Sequence, residues 1–318
     1  MTALNIRRFQ KNLLAWYGTH HRPLPWRKTR SPYRIWISEI MLQQTRVAAV
    51  LEKYREFLKR FPSVKALAAA RSSDVLAAWS GLGYYRRARS AHQTAKLVVS
   101  EHAGRFPCDR EQLRSLPGIG EYTSAAIASI AFGSPHAVVD GNVRRVVGRV
   151  FGKQFSSRAY ALHAQELLAR AHPGDFNQAM MELGALVCTP EPKCDRCPVF
   201  RECATRGKHQ VKSTATRIKR REVRFALALR NDRVFLVQRP RSASLMPGMW
   251  ELPADQRRAS KNALKFRHSI TDTNFLVSVT QRTLPPSSAK GRWVPREHLE
   301  KIPLTGLARK ILRHTGLL

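Results

Sequence analysis

Up to about residue 203, apolar positions recur every three or four residues. In SSDVLAAWSGLG, Val75, Leu76, Ala78 and Trp79 make one helical face, which Ser73 or Asp74 can cap and Gly81 can end. Ala88, Ala91, Ala95, Val98 and Val99 keep that spacing, and Asp175 can cap FNQAMMELGALVC. This stretch has no strand-like alternation of any length, so residues 1–205 are expected to form a mainly α domain. The period then drops to two. Val223, Phe225, Leu227 and Leu229 alternate, Asn231-Asp232 supplies a turn, and a second β-rich run follows, which predicts a hairpin. Phe275, Val277 and Val279 share a face in NFLVSVT, and LTGLARKILRH reads as a closing helix. A small α+β domain over residues 223–318 is expected. Between the two textures, residues 204–224 carry eight Lys/Arg and one Glu without apolar period. Residues 206–222 therefore read as a basic linker.

Charge narrows the partners. The 318 residues hold 56 Lys+Arg against 22 Asp+Glu, a formal +34, with 43% hydrophobic residues. A folded chain this basic points to a polyanion, nucleic acid first. No stretch is apolar and long enough to span a bilayer, and no segment pairs a basic face with a wide apolar one, so no membrane is expected. The N-terminus lacks a signal-peptide core, so a cytoplasmic, reducing setting is expected. Disulfides are then disfavoured.

That matters for CTPEPKCDRCPVFREC, which holds four of the five cysteines: Cys188, Cys194, Cys197 and Cys203. Zinc sites usually join two C-x-x-C knuckles across a longer span. Here one C-x-x-C is flanked by single cysteines, and one compact loop with four thiolates favours a 4Fe–4S cluster over zinc. Lys193, Arg196 and Arg201 are candidates for phosphate contacts, and Cys108 reads as an ordinary free thiol.

Two carboxylates stand out. LPGIG, with Gly118 and Gly120, lies between two helical runs and offers bare backbone amides suited to a phosphate. Downstream, Asp140 heads VVDGNVRRVVGR, where it is either an N-cap or a carboxylate aimed at a cationic centre. Glu39 sits in WISEIMLQQT among Ile35, Trp36, Ile37, Ile40, Met41 and Leu42. It is either paired with a base or has the raised pKa of a general acid.

WISEIMLQQT, GLGYY, LPGIGEYTSAAIASIAFG, VVDGNVRRV and ELGALVC with its cysteine loop, in this order, closely resemble the MutY-type adenine DNA glycosylases of the helix-hairpin-helix superfamily. The resemblance implies a monomeric repair enzyme acting on double-stranded DNA, excising adenine mispaired with 8-oxoguanine or guanine after flipping it from the stack. It further implies that Glu39 protonates adenine, that Asp140 stabilises the sugar cation and that Asn142 and Tyr122 position them. Arg22, Trp26, Arg27 and Glu182 would wall the base pocket. Gln44, Thr45, Leu82 and Tyr84 would fill or read the gap. Related glycosylase/lyases carry a lysine where Tyr122 stands, so the chain is expected to be monofunctional and to leave an abasic site. The resemblance also raises the weight of one 4Fe–4S cluster, although the cysteine spacing of five, two, five departs from the family's six, two, five.

The C-terminal part resembles a degenerate MutT/Nudix-like domain. Its hydrolase signature is missing after Pro253, so pyrophosphate hydrolysis is not expected. The family's lesion-reading loop commonly has Phe-Ser-His. Here the stretch is Phe266-Arg267-His268, and Arg267 or the shifted Ser269 is expected to reach the lesion. Two rivals stay open: a related glycosylase for another mismatched base such as thymine, and a non-catalytic iron–sulfur protein that binds damaged DNA.

Overall fold

The computed structural model describes residues 4–208, 219–240, 242–243, 246–257, 260, 262–270 and 273–318. Residues 209–218, most of the basic linker, lie outside the described residues. Residues 4–208 are helical: α1 (Ile6–His20), α2 (Pro32–Leu42), α3 (Val47–Arg60), α4 (Val64–Ala69), α5 (Ser72–Ala78), α6 (Arg86–Glu101), α7 (Arg110–Ser115), α8 (Glu121–Phe132), α9 (Gly141–Phe151), α10 (Ser157–Leu167) and α11 (Pro173–Leu186). The described residues contain no strand before Lys219. By packing, the described residues divide into two units. One holds residues 4–54, 63–68 and 93–208; the other holds 55–62, 69–92 and those from 219 on.

In the first unit α2 packs on α8, and α11 packs on α1, α8 and α9. The α9–α11 approach is close because Gly184 lacks a side chain. A Cβ there would lie 2.6 Å from the Cβ of Asn142. Helix α6 buries Ala88, Ala91, Ala95 and Val98 completely, as the spacing predicts. The caps differ from expectation. Helix α5 starts at Ser72 behind Arg71, which makes no side-chain cap bond, so Ser73 and Asp74 lie inside the first turn. Helix α11 starts at Pro173 behind His172, which leaves Asp175 in the first turn, paired with Arg30. Pro173 fits this position because its missing N–H is unneeded in the first turn.

The second unit contains β1 (Lys219–Arg230), β2 (Arg233–Gln238), β3 (Trp250–Glu251), β4 (Leu264–Ile270), β5 (Thr273–Arg282), β6 (Gly291–Pro295) and α12 (Gly306–His314), capped by Thr305. The strands run β3-β2-β1-β5-β4, and β6 pairs with β2. The expected hairpin forms: Arg230 pairs with Arg233 across Asn231-Asp232. Most of β1, however, pairs in parallel with β5, from Lys219↔Thr273 to Ala228↔Arg282. Strand β1 thus begins inside the stretch read as linker. Phe275, Val277 and Val279 face a core with Leu227, Leu236, Leu299, Ile311 and Leu312. Ala226 and Ala228, on the opposite face from Leu227, are also fully buried, so this end of β1 is covered on both sides.

Asn231 and Asp232 both have left-handed backbone, with φ of 45° and 54°. Such residues bear a strain of about 1 kcal/mol that glycine avoids. Asp232→Gly should therefore raise the urea midpoint by about 0.5–1 kcal/mol equivalent; a lowered midpoint would contradict this turn.

Candidate active site

Helix α2 is buried on nearly every side. Ser31 caps it and Pro32 opens it, and Ile35, Trp36, Ile37, Ile40 and Met41 are all within 2% of complete burial. Glu39, in their midst, is 6% exposed. Its Oε2 accepts a 2.7 Å hydrogen bond from the Tyr122 hydroxyl, which sits in the first turn of α8. Burial pushes the Glu39 carboxyl up to about 7, against the Tyr122 bond and with help from the nearby Asp140 charge. Burial also holds the Tyr122 phenol well above its usual range, so this hydroxyl stays a donor. The same hydroxyl lies 3.1 Å from the sulfur of Met181.

Asp140 is the N-cap of α9. Its Oδ1 accepts from the Val143 amide at 2.7 Å and its Oδ2 from Asn142 Nδ2 at 3.1 Å. Burial raises its pKa, and the capping bonds oppose the shift. The N-cap reading of Asp140 holds, and the cap also fixes where its carboxylate stands. Asn142 is held in turn: its Oδ1 accepts from Arg145 Nη2 at 2.8 Å, and the same nitrogen reaches the Gly184 carbonyl at 2.7 Å. Arg145 Nε donates to the Cys188 carbonyl at 2.7 Å. One turn further on, buried Arg149 donates to the Thr189 carbonyl at 2.6 Å and the Pro190 carbonyl at 2.9 Å.

Those carbonyls belong to the cysteine loop. All five cysteines are free, Cys108 is exposed, and Cys188, Cys194, Cys197 and Cys203 line one pocket with Arg149, Pro192, Phe200 and Gly207. Gly207 makes room for it, because a Cβ there would stand 3.1 Å from the Cys194 sulfur. Among the described residues no three His, Cys, Asp or Glu side chains converge to hold a metal ion. Four thiols around one pocket still suit a cubane, whose ligands each take a separate corner and so stand farther apart than those of a single ion. Lys193, Arg196 and Arg201 are exposed on the loop.

Glu182 has the opposite chemistry to Glu39. Burial would raise its pKa, but four hydrogen bonds from Arg22 and Arg27, at 2.6–2.9 Å, hold it down to about 2. Trp26 is buried edge-on against Tyr54. Gln44 is exposed with a left-handed φ of 56°, and Thr45 bonds back to the Gln43 carbonyl. Gly118 has φ 78° and is exposed, as the turn LPGIG requires. Gly120, in contrast, is extended, with open space around it, and serves as the N-cap of α8. Sequence reasoning missed Arg145, although its spacing of three from Asn142 puts the two on one helix face. It also missed buried Asn177, which accepts from the Val138 amide at 3.1 Å and donates to the His136 carbonyl at 2.7 Å, shaping the approach to Asp140. Nothing in the sequence marks that asparagine.

The other predicted residues lie in the second unit. Leu82 is 5% exposed and Tyr84 is 43% exposed. Phe266 to Ser269 do not form a loop: they belong to the edge strand β4, paired with β5 from Phe266↔Val277 to Ser269↔Asn274. Alternation explains this, since Phe266 turns to the core and stacks on His314 while Arg267 is exposed. The Ser269 hydroxyl is taken by Asn274 at 2.6 Å.

A glycine hairpin leading into α8, followed by the aspartate-capped α9, in an all-helical unit that ends in a four-cysteine loop, defines a helix-hairpin-helix glycosylase fold. The family model for HhH-GPD superfamily base excision DNA repair proteins matches residues 37–170. Over 215 residues, 63% of this chain and 42% of the relative, the sequence is 46% identical to an adenine DNA glycosylase of Rattus norvegicus. Over 196 residues it is 44% identical to that of Mycobacterium tuberculosis, covering 59% of this chain and 64% of the relative. The chain thus spans less than two thirds of each. The solved structure of a thermostable thymine-DNA glycosylase is similar with a TM-score of 0.60 and 31% identity, over 64% of this chain and 97% of that one. The chain belongs to the HhH-GPD superfamily.

Glu39 takes up a proton on folding between pH 4.5 and about 7, so its contribution to stability falls as pH rises through that window. Glu39→Gln should be more stable than the parent at pH 8, by on the order of 3 kcal/mol, with the gain vanishing toward pH 4.5. Thermal unfolding across that range checks it, and a gain that does not depend on pH would refute it.

Proposed function

We propose that the chain is a monofunctional DNA glycosylase that hydrolyses the N-glycosidic bond of adenine mispaired with 8-oxoguanine or guanine. The observation that carries this reading is the pair of carboxyl groups held in different environments: Glu39 buried and half-protonated near neutrality, Asp140 fixed at a helix N-terminus. Protonated Glu39 donates to N7 of the extruded adenine, which turns the base into a leaving group. As the glycosidic bond breaks, the sugar gains positive charge, and the Asp140 carboxylate stabilises it. Water then adds to the sugar, and its proton returns to Glu39. Tyr122 keeps Glu39 in place, and Asn142 does the same for Asp140. Tyr122 offers no amine, so no Schiff base forms and the strand stays intact.

Cys188, Cys194, Cys197 and Cys203 would hold one 4Fe–4S cluster, which supplies a covalent clasp to the loop when bound. Arg145 and Arg149 grip the backbone of that loop. The exposed Lys193, Arg196 and Arg201, with the exposed backbone of the LPGIG hairpin, suit phosphates of duplex DNA. The C-terminal sheet would read the lesion with Arg267, an exposed cation of β4, rather than with Ser269, whose hydroxyl is engaged. The likeness to a thymine-DNA glycosylase favours a second reading, in which the same machinery removes thymine.

Duplexes bearing A opposite 8-oxoguanine, A opposite G and T opposite G separate these readings. Adenine release, lost by at least about a hundredfold in Asp140→Asn, is expected; release of thymine alone would replace the first reading by the second. The single-turnover rate should fall about tenfold per unit above about pH 7, as Glu39 loses its proton. The purified protein should hold about four irons per chain, and Cys197→Ser should lose the iron together with its visible absorption. Zinc in place of iron would overturn the cluster.

A further inference from the structure

Residues 79–85 form a loop whose shape is held from outside. Gly81, Gly83 and Tyr84 all have left-handed backbone, with φ of 102°, 69° and 47°. Glycine takes that conformation freely, but tyrosine does so at a strain of about 1 kcal/mol. The strain presents the Tyr84 ring to solvent while Leu82 stays buried. Part of the support is local. Arg87 Nη2 donates to the Leu82 carbonyl at 3.0 Å and the Gly83 carbonyl at 3.2 Å, and Trp79 Nε1 reaches the Gly83 carbonyl at 3.2 Å.

The rest comes from the far end of the chain, within the same packing unit. The Ser80 hydroxyl donates to the Leu304 carbonyl at 3.2 Å, and the Tyr85 hydroxyl donates to the same oxygen at 2.9 Å. Arg309, on α12, donates from Nε to the Ser80 hydroxyl at 2.9 Å. Ser80 and Leu304 are fully buried, Tyr85 is 2% exposed and Arg309 8%. Ser80 and Tyr85 flank the loop on either side. Both its ends are therefore pinned to one carbonyl oxygen, and a buried guanidinium fixes the orientation of one pin. Apolar packing alone would bury the same surface without setting the separation of the two ends. Arg89 adds a further bond to the Pro247 carbonyl.

We infer that Leu304 and Arg309 are positioning residues for the 81–84 loop, so that the C-terminal segment helps extrude the target base as well as reading its partner. This rests on the glycosylase reading and goes beyond it, because it gives the C-terminal segment a part in a step that needs no contact with the lesion. The step is conformational. The loop enters the duplex in a preset shape, and the cost of ordering it is met on folding rather than on binding.

The test uses the full-length protein and duplexes carrying 2-aminopurine next to the target adenine, whose fluorescence reports unstacking. In Ser80→Ala/Tyr85→Phe the buried Leu304 oxygen loses both donors. The unstacking signal and the single-turnover excision rate should each fall about tenfold, with duplex affinity changed less than about threefold. On a duplex whose adenine faces an abasic site, where no partner base must be parted, the rate should stay within about twofold of the parent. Ser80→Ala alone strands the Arg309 guanidinium and should be more damaging than Ser80→Ala/Arg309→Met, which removes both partners. Equal losses on the two duplexes, or no loss in folded variants, would overturn the inference. Tyr85→Phe, which removes one oxygen, carries the same contrast should the double variant fold poorly. Wild-type protein that releases no base would defeat the glycosylase reading instead, so the two failures are told apart.

Discussion

The placement of Asp140 rests on a hydrogen bond that most helices make for stability alone: its carboxylate on the Val143 amide at the head of α9. Such a cap contributes about 1 kcal/mol to a helix. Here it also fixes where a negative charge stands. Helix α9 acts as a strut. Asp140 and Asn142 project from its first turn, and Arg145 and Arg149 from the later turns hold three consecutive carbonyls of the cysteine loop. The strut can lie against α11 only because Gly184 presents no side chain to Asn142. A methyl group at that position would press on the residue that orients Asp140.

Glu182, Glu39 and Asp140 are three of the buried or half-buried carboxyl groups in this unit, and their partners decide their states. Glu182 meets two guanidinium groups and the Arg22 amide, and it remains a carboxylate far into acid. Glu39 meets one phenol in an apolar helix and is driven up to about 7. Asp140 lies between them, raised by burial but steadied by two donors. Desolvation acts on all three in the same direction, so the number and charge of the donors sets the outcome. Mutual repulsion between Asp140 and Glu39 makes simultaneous ionisation harder still, which favours one protonated and one ionised carboxyl group near neutrality.

Much of this was legible in the sequence because it depends on local pattern. Helical period gave the burial of Ala88 to Val98, and the switch to a two-residue period gave the β1–β2 hairpin and its Asn231-Asp232 turn. Glu39 stood out as a charge in an apolar run, Asp140 as an acid ahead of a helix. Several of the misses depend on contacts remote in sequence. Parallel pairing of β1 with β5 leaves no trace in either strand's own alternation. The cap of α11 shifted to His172 because Pro173 claimed the first turn and Arg30 claimed Asp175. The stretch around Arg267 was expected to be a loop, yet its own alternation of Phe266 and His268 with exposed neighbours fits the edge strand that forms. Nothing local marked Asn177, whose partners lie about forty residues back.

The path of the chain through its two units has a consequence for inheritance. Residues 55–62 and 69–92 leave the helical unit, pack with strands that follow more than a hundred residues later, and then the chain returns. The sheet is therefore not a bead appended by a single joint. A recombination event at the basic linker would move the strands but leave behind α5 and the loop around Ser80, with a buried hydroxyl and a buried arginine each stripped of its mate. Exchange of the sheet between relatives has to carry matching changes in the middle of the helical half. The two parts are thus bound to drift together, although a simple cut in the sequence would divide them.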